Sequence, residues 1–184
     1  MSVASGVLDR LTYEGASALS REAVAQWKDK GGKVVGWVCI YAPEEVLHAA
    51  GILPIRIMGS TEPHSIADAY LQSNMCPFVR SCFSQGMLKE YQYLDGILSS
   101  HTCDAMVKLF DAWRVYVGAQ FAFLIDQPHV INRFSYEYHM GELDRLVKQV
   151  EAFAGVAVTP ESLRQSIRVY NENRLLLKEL YELR

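Results

Sequence analysis

The sequence lacks the features that would place it in several large functional classes. It has no cluster of Lys and Arg: 18 basic and 21 acidic residues are spread along the chain and leave a net charge of -3. Nucleic acid and an anionic membrane surface are therefore not expected among its partners. No apolar run reaches the roughly 18 residues that a membrane span needs. The opening MSVASGVLDRLTYEGASALS has no basic start followed by a continuous apolar stretch, so it does not read as a secretory signal, and a cytoplasmic protein is expected. There is no G-x-G-x-x-G and no Walker-type loop, which argues against a dinucleotide site or ATP hydrolysis. The four cysteines include no C-x-x-C pair and no zinc-finger or ferredoxin spacing, so a self-contained structural metal site is not expected. In a reducing compartment such thiols are seldom paired; they are packed, reactive or metal-bound.

What is present is an ordinary globular composition: 184 residues, half of them apolar, enough for one domain with a proper core and an appended helical segment. Apolar residues recur at helical spacing over roughly 7–30, from Val7 to Trp27, and Gly31-Gly32 ends that run. Lys33–Ile40, KVVGWVCI, is a short apolar run suited to a buried strand. Pro43-Glu44-Glu45 opens a helix that Gly51 stops, and Leu53–Met58 is a second strand. A polar loop, Gly59–His64, follows, and then helices over 65–73 and 77–92, broken near Cys76-Pro77. Asp95–Ser100 is a third strand, Cys103-Asp104 opens a helix to about Val117, and Ala119–Ile125 is a fourth strand. Long helices follow over Phe134–Ala154 and from Thr159-Pro160-Glu161 to near the end of the chain, with Thr as cap and Pro in the first turn. The alternation of strand and helix predicts an α/β fold with a small four-stranded parallel sheet, flavodoxin- or Rossmann-like, with flanking helices and a long C-terminal helix.

In such sheets functional groups gather at the carboxyl ends of the strands. Cys103 follows the third strand and begins a helix, where a thiolate is favoured by the helix dipole. Cys76 stands before Pro77 and can also sit at a helix start. By spacing alone the pair reads either as half of a cluster site or as two packed thiols. Cys82 within a helix and Cys39 within an apolar strand read as packed. Glu44 suits dipole capping, and Glu45 could face the same crevice as the cysteines. His101 is a candidate proton donor or a loop histidine bonded to backbone. His48 and His129 have no partner visible in sequence; Arg56 and Arg80 could meet a phosphate or carboxylate, against the ordinary reading of surface or ion-paired arginines.

Two stretches carry a resemblance: GWVCIYAPEEVLHAAGILPIRIMG, and NMCPFVRSCFSQGMLKEYQYLDGILSSHTCDAMVKLFDAW, with a weaker continuation through VYNENRLLLKEL. P-x-E followed by AAG-x-x-P, an isolated Cys, then LDG and a Cys-Asp pair resembles the subunits of 2-hydroxyacyl-CoA dehydratases and ATP-dependent benzoyl-CoA reductases. The resemblance implies that Cys76 and Cys103 are two ligands of a [4Fe-4S] cluster held between two α/β domains, with a third cysteine from the second domain. It implies Glu45 as an active-site residue. It also implies a second related subunit, an ATP-dependent activator that passes in a low-potential electron, and an acyl-CoA or aryl-CoA substrate. Residues 1–32 then read as an N-terminal helical segment, 33–133 as the α/β cluster-binding domain, and 134–184 as C-terminal helices leading to a second α/β domain. Family members are about twice this long and no cysteine follows Cys103, so the ligand set is incomplete in this chain and the isolated chain is expected to be inactive. Two further readings are a double-cubane-type reductase of small molecules and a non-catalytic subunit that binds a partner.

Overall fold

The computed structural model describes residues 13–60 and 65–183. In chain order these form α1 (Tyr13–Asp29), β1 (Val34–Val38), α2 (Glu44–Ala49), β2 (Leu53–Arg56), a 3-10 turn (Ser65–Ala69), α3 (Pro77–Met87), β3 (Gly96–His101), α4 (Asp104–Ala112) running into a π-helical turn (Trp113–Val117), β4 (Phe121–Asp126), α5 (Arg133–Ala154) and α6 (Pro160–Glu182). The expected helical turns before Tyr13 lie outside the described residues. All strand pairs are parallel, in the order β2-β1-β3-β4. The expected α/β architecture, with its four-stranded parallel sheet and long last helix, is the one observed.

Side chains alternate across the sheet, and the alternation divides the core in two. Val35, Trp37, Leu98, Phe121, Phe123 and Ile125 pack on one face against Val46 and Leu47 of α2 and Leu146 and Val150 of α5. Val38 and Ile97 pack on the other against Val79, Cys82 and Phe83 of α3 and Met106, Leu109 and Phe110 of α4. β1 lies inside the sheet under both layers, and all five of its residues are buried, which is why its sequence is continuously apolar.

Two sequence signatures have structural causes. The Asp95 carboxylate accepts from Lys28 Nζ at 2.7 and 2.8 Å and from the Val34 amide at 2.8 Å. Its backbone carbonyl accepts from Gln120 and Phe121. One residue thus ties α1 to the amino ends of β1, β3 and β4. The next residue must be glycine, because a Cβ on Gly96 would lie 2.6 Å from the Phe121 carbonyl oxygen. In AAG-x-x-P, Gly51 takes φ 71°. Its amide donates to His48 O and that of Ile52 to Leu47 O, closing α2.

Pro54 sits within β2, the edge strand. Leu53 and Ile57 donate to Lys33 O and Trp37 O. Pro54 falls on the alternate phase, turned away from β1, so no ladder bond is lost.

Several boundaries differ from the sequence expectation. β1 stops at Val38, because Cys39 takes φ 73° and turns the chain. The helix expected over 65–73 is one 3-10 turn, and α3 ends at Met87, where Lys89 takes φ 65°. Neither α5, α6 nor any other described helix is long and apolar enough to cross a membrane.

Candidate active site

The chain leaves β1 for β2 on one side and returns to β3 on the other. The carboxyl ends of β1 and β3 therefore flank a topological switch point, where open α/β sheets bind ligands. Cys39 follows one end, and His101, Thr102 and Cys103 follow the other.

Cys103 is the N-cap of α4, with extended backbone (φ -161°, ψ 162°). Its carbonyl accepts from Met106 and Val107 at 3.1 and 3.3 Å. Cys76 is the N-cap of α3 (φ -59°, ψ 145°). Pro77 accounts for this: it keeps its predecessor out of helical conformation, and its missing N–H is not needed in the first turn. Neither thiol makes a capping hydrogen bond, and both residues are exposed. α3 and α4 pack against each other on the same face of the sheet. Each thiol sits at a helix start. Among the described residues no three His, Cys, Asp or Glu side chains gather as a group that could hold a metal ion. The two thiols suit an iron–sulfur cluster chemically, but as part of a donor set.

The other two cysteines differ. Cys82 is fully buried on α3. Burial first, and Cys76 nearby second, push its thiol up to about 12; it is a packed thiol. Cys39 does not lie within the strand. It is half-buried just beyond it, with Sγ 3.3 Å from Thr102 Oγ1.

His101 is the last residue of β3, paired in register with Asp126 at the end of β4. Its Nδ1 lies 2.8 Å from Asp126 Oδ1, and the Tyr138 hydroxyl donates to Asp126 Oδ2 at 2.7 Å. The hydrogen bond from Tyr138, followed by that from His101, holds the Asp126 carboxyl below its usual range. The His129 ring stands edge-on to His101 at 6.4 Å. Sequence reasoning missed Asp126 and Tyr138. The start of α5, which carries Tyr138, is set by the box in which Asn132 and Ser135 cap one another.

Glu45, in the first turn of α2, is tied to the last helix. Its carboxylate pairs with Arg174 of α6. Its carbonyl accepts from the Ser166 hydroxyl at 2.8 Å, and the Ser166 oxygen also meets His48 Nδ1 at 3.0 Å. Glu44 borders a cleft of about 590 Å³ along the outer side of β2, lined also by Trp37, Arg56, Met58, Tyr91 and Tyr170. Burial, then the charge of Glu45, raises the Glu44 carboxyl, and Arg174 and Arg56 oppose the rise. Arg56 stacks over Trp37 at 5.3 Å. Arg80 pairs with Asp68 and is committed to the 3-10 turn.

Comparison with known proteins gives these positions a context. The profile of the family described as 2-hydroxyglutaryl-CoA dehydratase, D-component, matches residues 39–184. The chain belongs to that family. Curated relatives include a benzoyl-CoA reductase subunit of Thauera aromatica, 35% identical over 88% of this chain and 43% of that protein. The beta subunit of lactoyl-CoA dehydratase of Anaerotignum propionicum is 29% identical over 97% of this chain and 47% of its own length. The beta subunit of (R)-2-hydroxyglutaryl-CoA dehydratase of Acidaminococcus fermentans is 22% identical over 93% and 46%. This D-component chain spans less than half the length of these relatives. The matched region begins at Cys39, just past β1, and contains β2, β3 and β4 with the residues that follow them.

Proposed function

We propose that the chain is the part of a D-component subunit that supplies two thiolate ligands, Cys76 and Cys103, to a [4Fe-4S] cluster acting on a CoA thioester. The observation that carries the reading is the shared placement of the two residues. Each is an exposed N-cap without a capping hydrogen bond, and the helices they begin are neighbours on one face. The names of the relatives support the substrate class, an acyl-CoA or aryl-CoA thioester, and a multi-subunit assembly.

When bound, such a cluster supplies single electrons at low potential and an iron position open to a thioester carbonyl. The chain's own residues do the rest of the work at this rim. The first turns of α3 and α4 present the two sulfurs at neighbouring helix starts. The apolar layer beneath, with Cys82, Met106 and Phe110, keeps water from the sheet side. Glu45, anchored by Arg174, is the acidic group proposed for the substrate side. A further ligand comes from outside this chain's described residues, and electrons come from a separate ATP-dependent activator working with a second related subunit.

The test is iron and acid-labile sulfide in the full-length protein, purified without oxygen together with its partner subunit. Replacing Cys76 and Cys103 with Ser is expected to remove the iron and the visible absorption. Iron content equal to wild type in the double variant would overturn the proposal. A protein that retains partner binding but never contains iron would support a non-catalytic subunit.

A further inference from the structure

The two candidate ligands are held differently. Cys76 is fixed along its own chain, by Pro77 and by the helix that follows. Cys103 follows two residues that are each tied sideways to a neighbouring strand end. Toward β4, His101 Nδ1 meets Asp126 Oδ1 at 2.8 Å. That carboxylate is itself fixed, because its other oxygen takes the Tyr138 hydroxyl of α5 at 2.7 Å. The Asp126 amide donates to buried Glu142 at 3.3 Å. Toward β1, Thr102 Oγ1 lies 3.3 Å from Cys39 Sγ.

Cys39 reaches that position in a left-handed backbone conformation, φ 73°, which disfavours a residue with a side chain. The turn that imposes it is closed by the Ala42 amide on Cys39 O at 3.1 Å. Between the two ties, the Thr102 amide folds back on Ser100 O at 2.9 Å.

We infer that Asp126 with Tyr138 on one side, and Cys39 on the other, form a clamp that positions Cys103. The inference rests on the reading of Cys103 as a cluster ligand. Asp126, Tyr138 and Cys39 are positioning residues in this scheme and His101 and Thr102 transmit their hold. A two-sided tie fixes both the height of the Cys103 backbone above the sheet and its rotation, which one contact alone would leave free. The arrangement parallels the outer hydrogen bonds that orient metal ligands elsewhere and whose loss lowers metal retention by about 10–100-fold.

The decisive measurement has two arms. In metal-free protein, Asp126→Ala and Cys39→Ala are compared with wild type by amide hydrogen exchange and by alkylation of individual cysteines. The clamp predicts about tenfold faster exchange over residues 101–107 in Asp126→Ala, roughly the effect of one lost hydrogen bond to a charged group, and a smaller acceleration in Cys39→Ala, whose thiol contact is neutral and weak. It also predicts a changed alkylation rate at Cys103 with none at Cys76. Tyr138→Phe removes a single hydroxyl and gives a smaller change in the same direction, so misfolding cannot imitate the series. Wild-type exchange over 101–107 in both alanine variants overturns the inference.

In the iron-loaded full-length protein, Asp126→Ala is expected to alter the electron paramagnetic resonance line shape of the reduced cluster. Iron should pass to a chelator about tenfold faster, and Asp126→Asn, which keeps an acceptor for His101, should restore both. An unaltered line shape and release rate in Asp126→Ala also overturns the inference. Wild-type protein without iron would remove the cluster reading instead, and the first arm then decides the clamp by itself.

Discussion

Glu45 and Arg174 form an ion pair across 129 residues of sequence, joining the start of α2 to the middle of α6. Both ends of α2 are fastened to the same helix, since His48 and the Glu45 carbonyl meet Ser166 one face along. The last helix is therefore part of the frame that holds the acidic P-x-E position, and its removal would be felt at the rim.

Arg174→Ala should lower stability by about 1 kcal/mol, the upper range for a half-exposed pair. For a domain of this size that corresponds to a fall in Tm of roughly 2–4 °C, read by circular dichroism. Arg174→Lys should recover part of it. A Tm unchanged by Arg174→Ala would mean that the pair contributes nothing to the folded chain.

Asp95 is expected to be far more sensitive. Asp95→Ala removes the partner of Lys28 and leaves the amide of fully buried Val34 without its acceptor. A loss of about 2–3 kcal/mol is expected in urea unfolding. Asp95→Asn, which still accepts from Val34, should lose about half as much. Equal losses in the two variants would place the effect in the charge and not in the amide contact.

Trp113 closes the α4 end of the core. It is 1% exposed, stacks near Tyr91 at 6.0 Å, and lies so close to α3 that a Cβ on Gly86 would come within 2.9 Å of the ring. Trp113→Ala should cost about 3–5 kcal/mol through the cavity it leaves. Gly86→Val should also destabilise, by overpacking the same contact. Calorimetry on both variants checks the prediction, and a neutral Gly86→Val would contradict the packing described.

The raised Glu44 carboxyl gives a signed pH dependence. Burial and the neighbouring Glu45 favour its protonated form in the folded chain. Below the ordinary carboxylate range the group is protonated whether folded or unfolded and contributes no difference. As pH rises through that range the unfolded chain releases the proton first, so stability falls until the folded group has also ionised. Glu44→Gln should therefore be more stable than wild type at neutral pH, with the difference vanishing near pH 3. A difference that instead grew on acidification would reverse the sign and refute the assignment.

The sheet was legible in the sequence because burial on both faces makes β1 continuously apolar, and because Gly96–His101 and Phe121–Asp126 are short runs that open on apolar residues. Helix starts were legible where Pro or a capping box announces them, at Pro43, Pro77 and Thr159. Elements that depend on tertiary contacts were not. Ser65–Ala69 has helical composition, yet it forms a single 3-10 turn held by Ala67 N on Ser84 Oγ and by Asp68 on Arg80. Cys39 reads as a strand residue, because a β-branched run gives no warning of a left-handed turn at a position that is not glycine. The Cys76 and Cys103 positions could be singled out by their sequence neighbours. Asp126 and Tyr138 could not, since their meeting with His101 depends on β3–β4 register and on the rotation of α5.

The proline in β2 has a consequence for how such subunits can meet. Strands lengthen a sheet by trading amide hydrogens for carbonyl oxygens along an open margin. A second chain approaching alongside Leu53–Arg56 would find a ring nitrogen with no hydrogen to give at Pro54, and a bulky ring in its path. Continuous growth of the sheet from this side is blocked. Any extension of the sheet is then left to its other margin, along β4.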